Sequence, residues 1–181
     1  TFILTSKQAS KAGTLYFKLT NPAPGGGESN EFKVEIKNPA PQLLSYEPQK
    51  IKALSDVKIN VSGKGFTNET KVMSGGSIIF SELVKGKIVF TVPDEYKQKA
   101  GKFKFLISNS APGGGVTAEK AIEIENPIPD PYGTDPSSLK WKVGGALTIS
   151  GDLFITGAKV FVAGKEITPS KVSVDSIKVK I

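Results

Sequence analysis

Asn21-Pro22-Ala23-Pro24-Gly25-Gly26-Gly27 returns later in the chain as Asn109-Ser110-Ala111-Pro112-Gly113-Gly114-Gly115, a shift of 88 residues (109 − 21 = 88). Other landmarks keep that shift. Asn38-Pro39-Ala40-Pro41 returns as Asn126-Pro127-Ile128-Pro129, and Ala12-Gly13 as Ala100-Gly101. Pro48 answers to Pro136, Gly63 to Gly151, Phe66 to Phe154, and Lys71-Val72 to Lys159-Val160. A fixed period of this kind marks a modular array. It is far longer than a solenoid turn and suits one small β-sandwich per repeat.

With the Asn-Pro-x-Pro segments as boundaries, residues 39–126 make one complete repeat. Residues 1–38 read as the C-terminal half of another, and residues 127–181 as the N-terminal part of a third. Two explanations fit this division. The stretch is an excerpt from a longer array, or half-domains of neighbouring molecules complete one another, since a half-sandwich left alone exposes unpaired strand edges.

Inside the repeat the apolar residues alternate. Val57, Ile59 and Val61 alternate with Lys58, Asn60 and Ser62, and Phe103, Phe105 and Ile107 alternate with Lys102, Lys104 and Leu106. Ile88, Phe90 and Val92 form another such set, and Ile122 and Ile124 the last. The flanking segments carry Leu15, Phe17 and Leu19, then Phe32, Val34 and Ile36, then Leu147 and Ile149, and finally Ile177, Val179 and Ile181. Period-2 alternation predicts strands with one buried face, and the sets are expected to face each other across a sandwich. Only Pro93–Lys99 predicts a helical turn, with proline at its start. The expected class is all-β and antiparallel.

Composition removes several chemistries. The chain of 181 residues has no cysteine and no histidine, and its 24 basic residues are all lysines. Thiolate catalysis, imidazole acid/base work and His/Cys zinc sites cannot be built from it. The net charge of +7 raises nucleic acid as a partner. The lysines, however, are scattered along strand-like segments (Lys58, Lys102, Lys104, Lys178), as on a solvated sheet face, and guanidinium forks are missing. No nucleic-acid partner and no membrane span are expected, and an export signal is expected to lie outside this stretch.

Each candidate site also has a simpler structural reading. The triplets Gly25–Gly27 and Gly113–Gly115 lack the lysine and helix of a phosphate loop, so Gly113, Gly114 and Gly115 read as turn residues. Asp130 and Asp135, with Asp94 or Glu95, are oxygen ligands of the kind calcium takes, but their spacing matches no calcium loop and a proline-rich hinge is the preferred reading. Trp141 is the only tryptophan and the one candidate for stacking on a sugar ring, although its alternation with Leu139 and Val143 suits packing. Asn60-Val61-Ser62 and Asn68-Glu69-Thr70 match the glycosylation acceptor pattern. No cofactor is expected.

Taken together, these residues resemble the IPT/TIG family of immunoglobulin-like domains. The resemblance rests on Asn38-Pro39-Ala40-Pro41 followed by Leu44-Ser45-Tyr46-Glu47-Pro48, and on Val61-Ser62-Gly63-Lys64-Gly65-Phe66. Val92-Pro93, Ala100-Gly101-Lys102-Phe103, Asn109 and Ala111-Pro112-Gly113-Gly114-Gly115 complete it. Asp152-Leu153-Phe154 departs from the pattern where the middle repeat has Lys64-Gly65-Phe66. The resemblance implies tandem immunoglobulin-like antiparallel β-sandwiches, with Asn38, Pro39, Pro41, Asn126, Pro127 and Pro129 as junction landmarks.

Repetition without catalytic markers then leads to an expected role. It is a non-enzymatic structural or adhesive repeat segment of a large extracellular bacterial surface protein or surface filament. Its expected partners are neighbouring repeats, copies of the same protein, and a cell-surface glycan or protein. Two alternatives stay open: a carbohydrate-binding accessory module of a polysaccharide-processing system, and a phage tail or fibre component.

Overall fold

The structure, a computed structural model, describes residues 3–140 and 143–181. The alternating segments are strands. β1 (Gly13–Phe17), β2 (Thr20–Asn21), β3 (Gly27–Glu28) and β4 (Phe32–Ile36) come first. β5 (Gln42–Glu47), β6 (Lys50–Lys52), β7 (Lys58–Lys64), β8 (Lys71–Ser74), β9 (Ser77–Ile79), β10 (Ser81–Val84) and β11 (Lys87–Thr91) follow. A 3-10 turn at Asp94–Tyr96 then leads to β12 (Gly101–Asn109), β13 (Gly115–Val116) and β14 (Lys120–Glu125). β15 (Asp130–Asp135), β16 (Ala146–Asp152), β17 (Val160–Val162), β18 (Lys165–Ile167), β19 (Lys171–Val172) and β20 (Ser176–Lys180) close the series. Among the described residues the chain is all-β, in several antiparallel sheets that include the parallel pair β6–β14. Among the described residues no helix is long and apolar enough to cross a membrane.

The chain divides into two compact units. The first comprises Thr1–Glu47, Ile59–Phe90 and Lys104–Lys120. In it β1 pairs with β4 from Gly13↔Ile36 to Phe17↔Phe32, and β2 pairs with β3. A four-stranded sheet runs β10-β11-β7-β5. β8 pairs with β9 on one edge and with β12 on the other, and β13 adds to the end of β12. Ile59, Val61, Val72, Ile88, Phe90, Phe105 and Ile107 are buried. Phe105 of β12 meets Tyr46 of β5 edge-on, ring centres 5.3 Å apart, and Phe90 of β11 at 5.1 Å, so side chains of two sheets pack on one another.

The second unit comprises Pro48–Lys58, Thr91–Phe103 and Ala121–Ile181. β6 runs parallel to β14, and a four-stranded sheet runs β15-β16-β20-β19 beside the hairpin β17-β18. Phe154, Ile177 and Val179 are buried, with Leu147, Ile149, Ala158, Val160, Ile167 and Val172 packed around them.

Strand register recurs with the period of the sequence. β5 pairs with β7 from Gln42↔Lys64 to Glu47↔Asn60, with an irregularity between Leu43 and Ser45. β15 pairs with β16 from Asp130↔Asp152 to Asp135↔Thr148, with an irregularity between Pro131 and Gly133. Every one of those partners is 88 residues on. Val72↔Ile79 answers to Val160↔Ile167, and Asn21↔Gly27 to Asn109↔Gly115, at the same shift. From β19 the offset grows by one residue: Leu83↔Ile88 answers to Val172↔Ile177 (172 − 83 = 89).

The Gly63 and Gly151 positions explain part of this recurrence. A Cβ on Gly63 would lie 2.1 Å from the Gln42 carbonyl oxygen and 2.3 Å from the Phe66 ring. On Gly151 it would lie 2.5 Å from the Asp130 carbonyl oxygen and 2.4 Å from the Phe154 ring. In both places the phenylalanine three residues on occupies the space a side chain would need.

Three inward-facing expectations fail. Val57 precedes β7 and is exposed, because the strand begins only at Lys58. Leu19, Phe32 and Val34 are exposed, since β1 and β4 form a two-stranded ribbon, and a ribbon alone buries little. Ile181 is exposed as well, just past the end of β20.

Candidate functional site

Asn38 and Pro39 follow β4 and precede β5, and the residues that receive them are built for backbone capture. Asn109, the last residue of β12, is 4% exposed, so each of its polar atoms needs a partner. Its Nδ2 donates to the Pro39 carbonyl at 2.8 Å and to the Gly65 carbonyl at 2.7 Å. Its Oδ1 accepts from the Thr70 hydroxyl at 2.6 Å, and that hydroxyl accepts in turn from the Thr67 amide at 2.7 Å. The network is closed: among the described residues no buried side-chain polar atom lacks a partner.

Asn38 completes the junction from the other side. Its amide donates to the Pro112 carbonyl at 2.8 Å, its carbonyl accepts from the Gly114 amide at 2.8 Å, and its Nδ2 donates to the Ser110 carbonyl at 2.9 Å. Gly113 has φ +72, and a Cβ there would lie 2.5 Å from the Asn38 carbonyl oxygen. The glycine triplet therefore turns β12 into β13 while its backbone grips Asn38, so that amide is not available to a phosphate. Pro41 is buried and Pro39 exposed. A polar cleft of about 250 Å³ lies beside the junction, lined by Ser10, Lys11, Ala12, Asn38, Thr67, Asn68 and Glu69, with Lys11 and Glu69 paired at 3.5 Å.

Asn126 does something different from its counterpart. Its Oδ1 accepts from the Ala100 amide at 2.6 Å. Pro127 is half-buried and Pro129 exposed.

Lys97 is a polar centre that sequence reading missed. Its side chain is 4% exposed, and Nζ donates to the Ser55 carbonyl at 3.1 Å, pairs with Asp94 at 3.0 Å and bonds Asp56 closely. Burial pulls its pKa down, but hydrogen bonds and charge from Asp56 and Asp94 outweigh that and hold it above the ordinary lysine value. The Lys97 carbonyl also accepts from the Leu54 amide at 2.9 Å. Lys97 thus ties the 54–56 loop to the 3-10 turn.

Beside that turn, Tyr96 packs on Phe103, ring centres 5.1 Å apart, yet remains 40% exposed. It lines an open groove of about 380 Å³ with Glu95, Gln98, Lys99, Lys102 and Thr156. Trp141, the sequence candidate for sugar stacking, lies outside the described residues. Asp130 and Asp135 sit at opposite ends of β15, roughly 16 Å apart at strand rise, and both are exposed. Asp94 is engaged by Lys97. Among the described residues no three carboxylates gather to hold a metal. Of the two glycosylation patterns, Asn68-Glu69-Thr70 ends in the buried Thr70 that serves Asn109.

No protein-family model matches the chain, and no curated protein matches it either.

Proposed function

We propose that this chain is a run of tandem immunoglobulin-like β-sandwich repeats of the IPT/TIG type, acting as a non-enzymatic structural and adhesive segment of an extracellular bacterial surface protein or filament. The observation that carries this reading is the recurrence of strand register, bulge included, at the 88-residue period. The packing of Phe105 on Tyr46 and Phe90 supports the sandwich. The Asn38–Pro39 junction supports a spacer role: four hydrogen bonds there tie the connecting segment into a repeat instead of leaving it a free linker. On this reading the repeat boundaries lie near residues 38 and 126. Surface labelling and single-molecule imaging of the full-length product test it. An extended, labelled protein at the cell surface is expected, and a compact cytoplasmic one overturns the proposal.

A second reading, an accessory module for carbohydrate, is favoured by one observation: the exposed Tyr96 ring set among Glu95, Gln98, Lys99 and Lys102. An aromatic face ringed by hydrogen-bonding groups suits a sugar. Glycan-array binding that disappears in Tyr96→Ala supports it, and an array without signal removes it.

A further inference from the structure

Two clefts of the chain occupy matching places along the 88-residue period. Ser10, Lys11, Ala12 and Asn68 line the first, and Gln98, Lys99, Ala100 and Thr156 line the second, each 88 residues on (98 − 10 = 88). Their chemistry differs. In the first cleft Lys11 is engaged by Glu69 at 3.5 Å. In the second the counterpart of Glu69 is Gly157 (69 + 88 = 157), so Lys99 has no such anion. Lys102, which also lines the second cleft, stands where the earlier stretch has Thr14, and Tyr96 stands where it has Gln8 (96 − 88 = 8). Lys99 and Lys102 are exposed and enter no ion pair among the described residues. Glu95 is the one acidic residue lining this groove, so two cations face one carboxylate.

The geometry points to a carboxylate-bearing pyranose, a uronate unit of an acidic polysaccharide, as the ligand of the groove at Tyr96. The ring of Tyr96 is set against Phe103 with 67° between the ring planes, so it is positioned before a ligand arrives. Gln98 is pinned as well, its Nε2 donating to the Asp94 carbonyl at 2.8 Å. The sugar stacks on Tyr96, its hydroxyls meet Glu95, Gln98 and Thr156, and its carboxylate meets the ammonium groups of Lys99 and Lys102. A neutral sugar uses the ring and the hydroxyl partners but leaves both cations without an anion, whereas a carboxylate gives them charge-assisted hydrogen bonds. The groove is open, so neighbouring units of the polysaccharide run out into solvent. The inference rests on the reading of this groove as a carbohydrate site, and it names the class of sugar.

The whole 181-residue chain is titrated by calorimetry with a galacturonate tetrasaccharide and with its methyl ester, in which the same rings carry no charge. The acid is expected to bind roughly tenfold more tightly than the ester. Lys99→Gln/Lys102→Gln is expected to erase that preference and keep the binding of the ester, with an unchanged circular dichroism spectrum, because both lysines are exposed. Tyr96→Ala is expected to weaken both ligands, Tyr96→Phe to retain both, and Lys11→Gln, in the matching cleft, to change neither. Equal binding of acid and ester that disappears in Tyr96→Ala overturns the uronate assignment and leaves the carbohydrate reading standing. Binding of the acid that survives the double lysine variant undiminished overturns it too, since the charge is then met elsewhere. A chain that binds neither tetrasaccharide overturns it as well, and only a glycan array without signal removes the carbohydrate reading with it.

Discussion

The carboxamide of Asn109 holds the carbonyl of Pro39 at 2.8 Å, a hydrogen bond that joins residues 70 positions apart. The same side chain holds Gly65 and Thr70. Asn109→Ala removes three hydrogen bonds at once: those to the Pro39 and Gly65 carbonyls, and the one from the buried Thr70 hydroxyl. At about 1 kcal/mol for each hydrogen bond lost, the expected loss is about 2–3 kcal/mol. Urea denaturation followed by tryptophan-independent circular dichroism checks it. A midpoint within error of the parent rules the network out as a stabilising element.

Leu153 and Gly65 occupy equivalent positions, with φ +62 and +72. Glycine takes that conformation freely, whereas leucine is strained in it by roughly 1–2 kcal/mol. Leu153→Gly is therefore expected to stabilise residues 127–181 by about 1 kcal/mol, less whatever the lost side chain contributed. Ala163, at φ +47 in the two-residue turn between β17 and β18, stands where Gly75 stands at φ +55, and Ala163→Gly is expected to act in the same direction. A lowered melting temperature in both variants contradicts the assignment.

Gly63→Ala and Gly151→Ala form a matched pair. Each added methyl would meet a carbonyl oxygen and a phenylalanine ring well inside contact distance. Overpacking of this kind destabilises by about 1–3 kcal/mol. The double variants Gly63→Ala/Phe66→Leu and Gly151→Ala/Phe154→Leu are expected to recover part of the loss, and thermal melts of the four proteins measure the coupling.

Lys97 makes stability depend on alkaline pH. Its pKa is raised in the folded chain, so its stabilising contribution is complete below the ordinary lysine value and fades as pH rises through the raised value. Lys97→Met is expected to destabilise at pH 7 by about 1–3 kcal/mol, as the Ser55 carbonyl loses its donor, and to flatten the decline above pH 10.5 relative to the parent. Parallel curves for parent and variant above that pH contradict the role.

Glu125 gives the opposite sign. A hydrogen bond and charge from Lys52, with further charge from Lys50, hold its carboxyl below the ordinary value of 4.5. Its contribution is present above that value and is lost as pH falls beneath it. Glu125→Gln is expected to weaken the acid dependence of unfolding, measured as the midpoint between pH 5 and pH 3. The effect is small, because the group is open to solvent.

The strands were legible because alternation is a local property: Ile59 and Val61, or Phe103, Phe105 and Ile107, declare their buried face within a few residues. The glycine turn and the period were legible for the same reason, being written in short strings. What escaped lies in long-range partners. Nothing beside Lys97 in sequence says that it is buried, because Asp56 and Ser55 arrive from about 40 positions away. Asn109 was a landmark of the repeat, but its grip on Pro39 and Thr70 required the folded chain. Leu19 and Val34 alternate as core residues do, yet exposure depends on what lies opposite, and alternation is blind to that.

The junction also decides where mechanical load goes. Tension entering through Lys37 meets the Asn38 bonds to Pro112 and Gly114, and then the Asn109 clasp on Pro39, before it reaches the first β5–β7 pair at Gln42. A tug on the chain is thus met first by the end of β12 and the glycine turn that follows it, before the first rung of the β5–β7 ladder carries load.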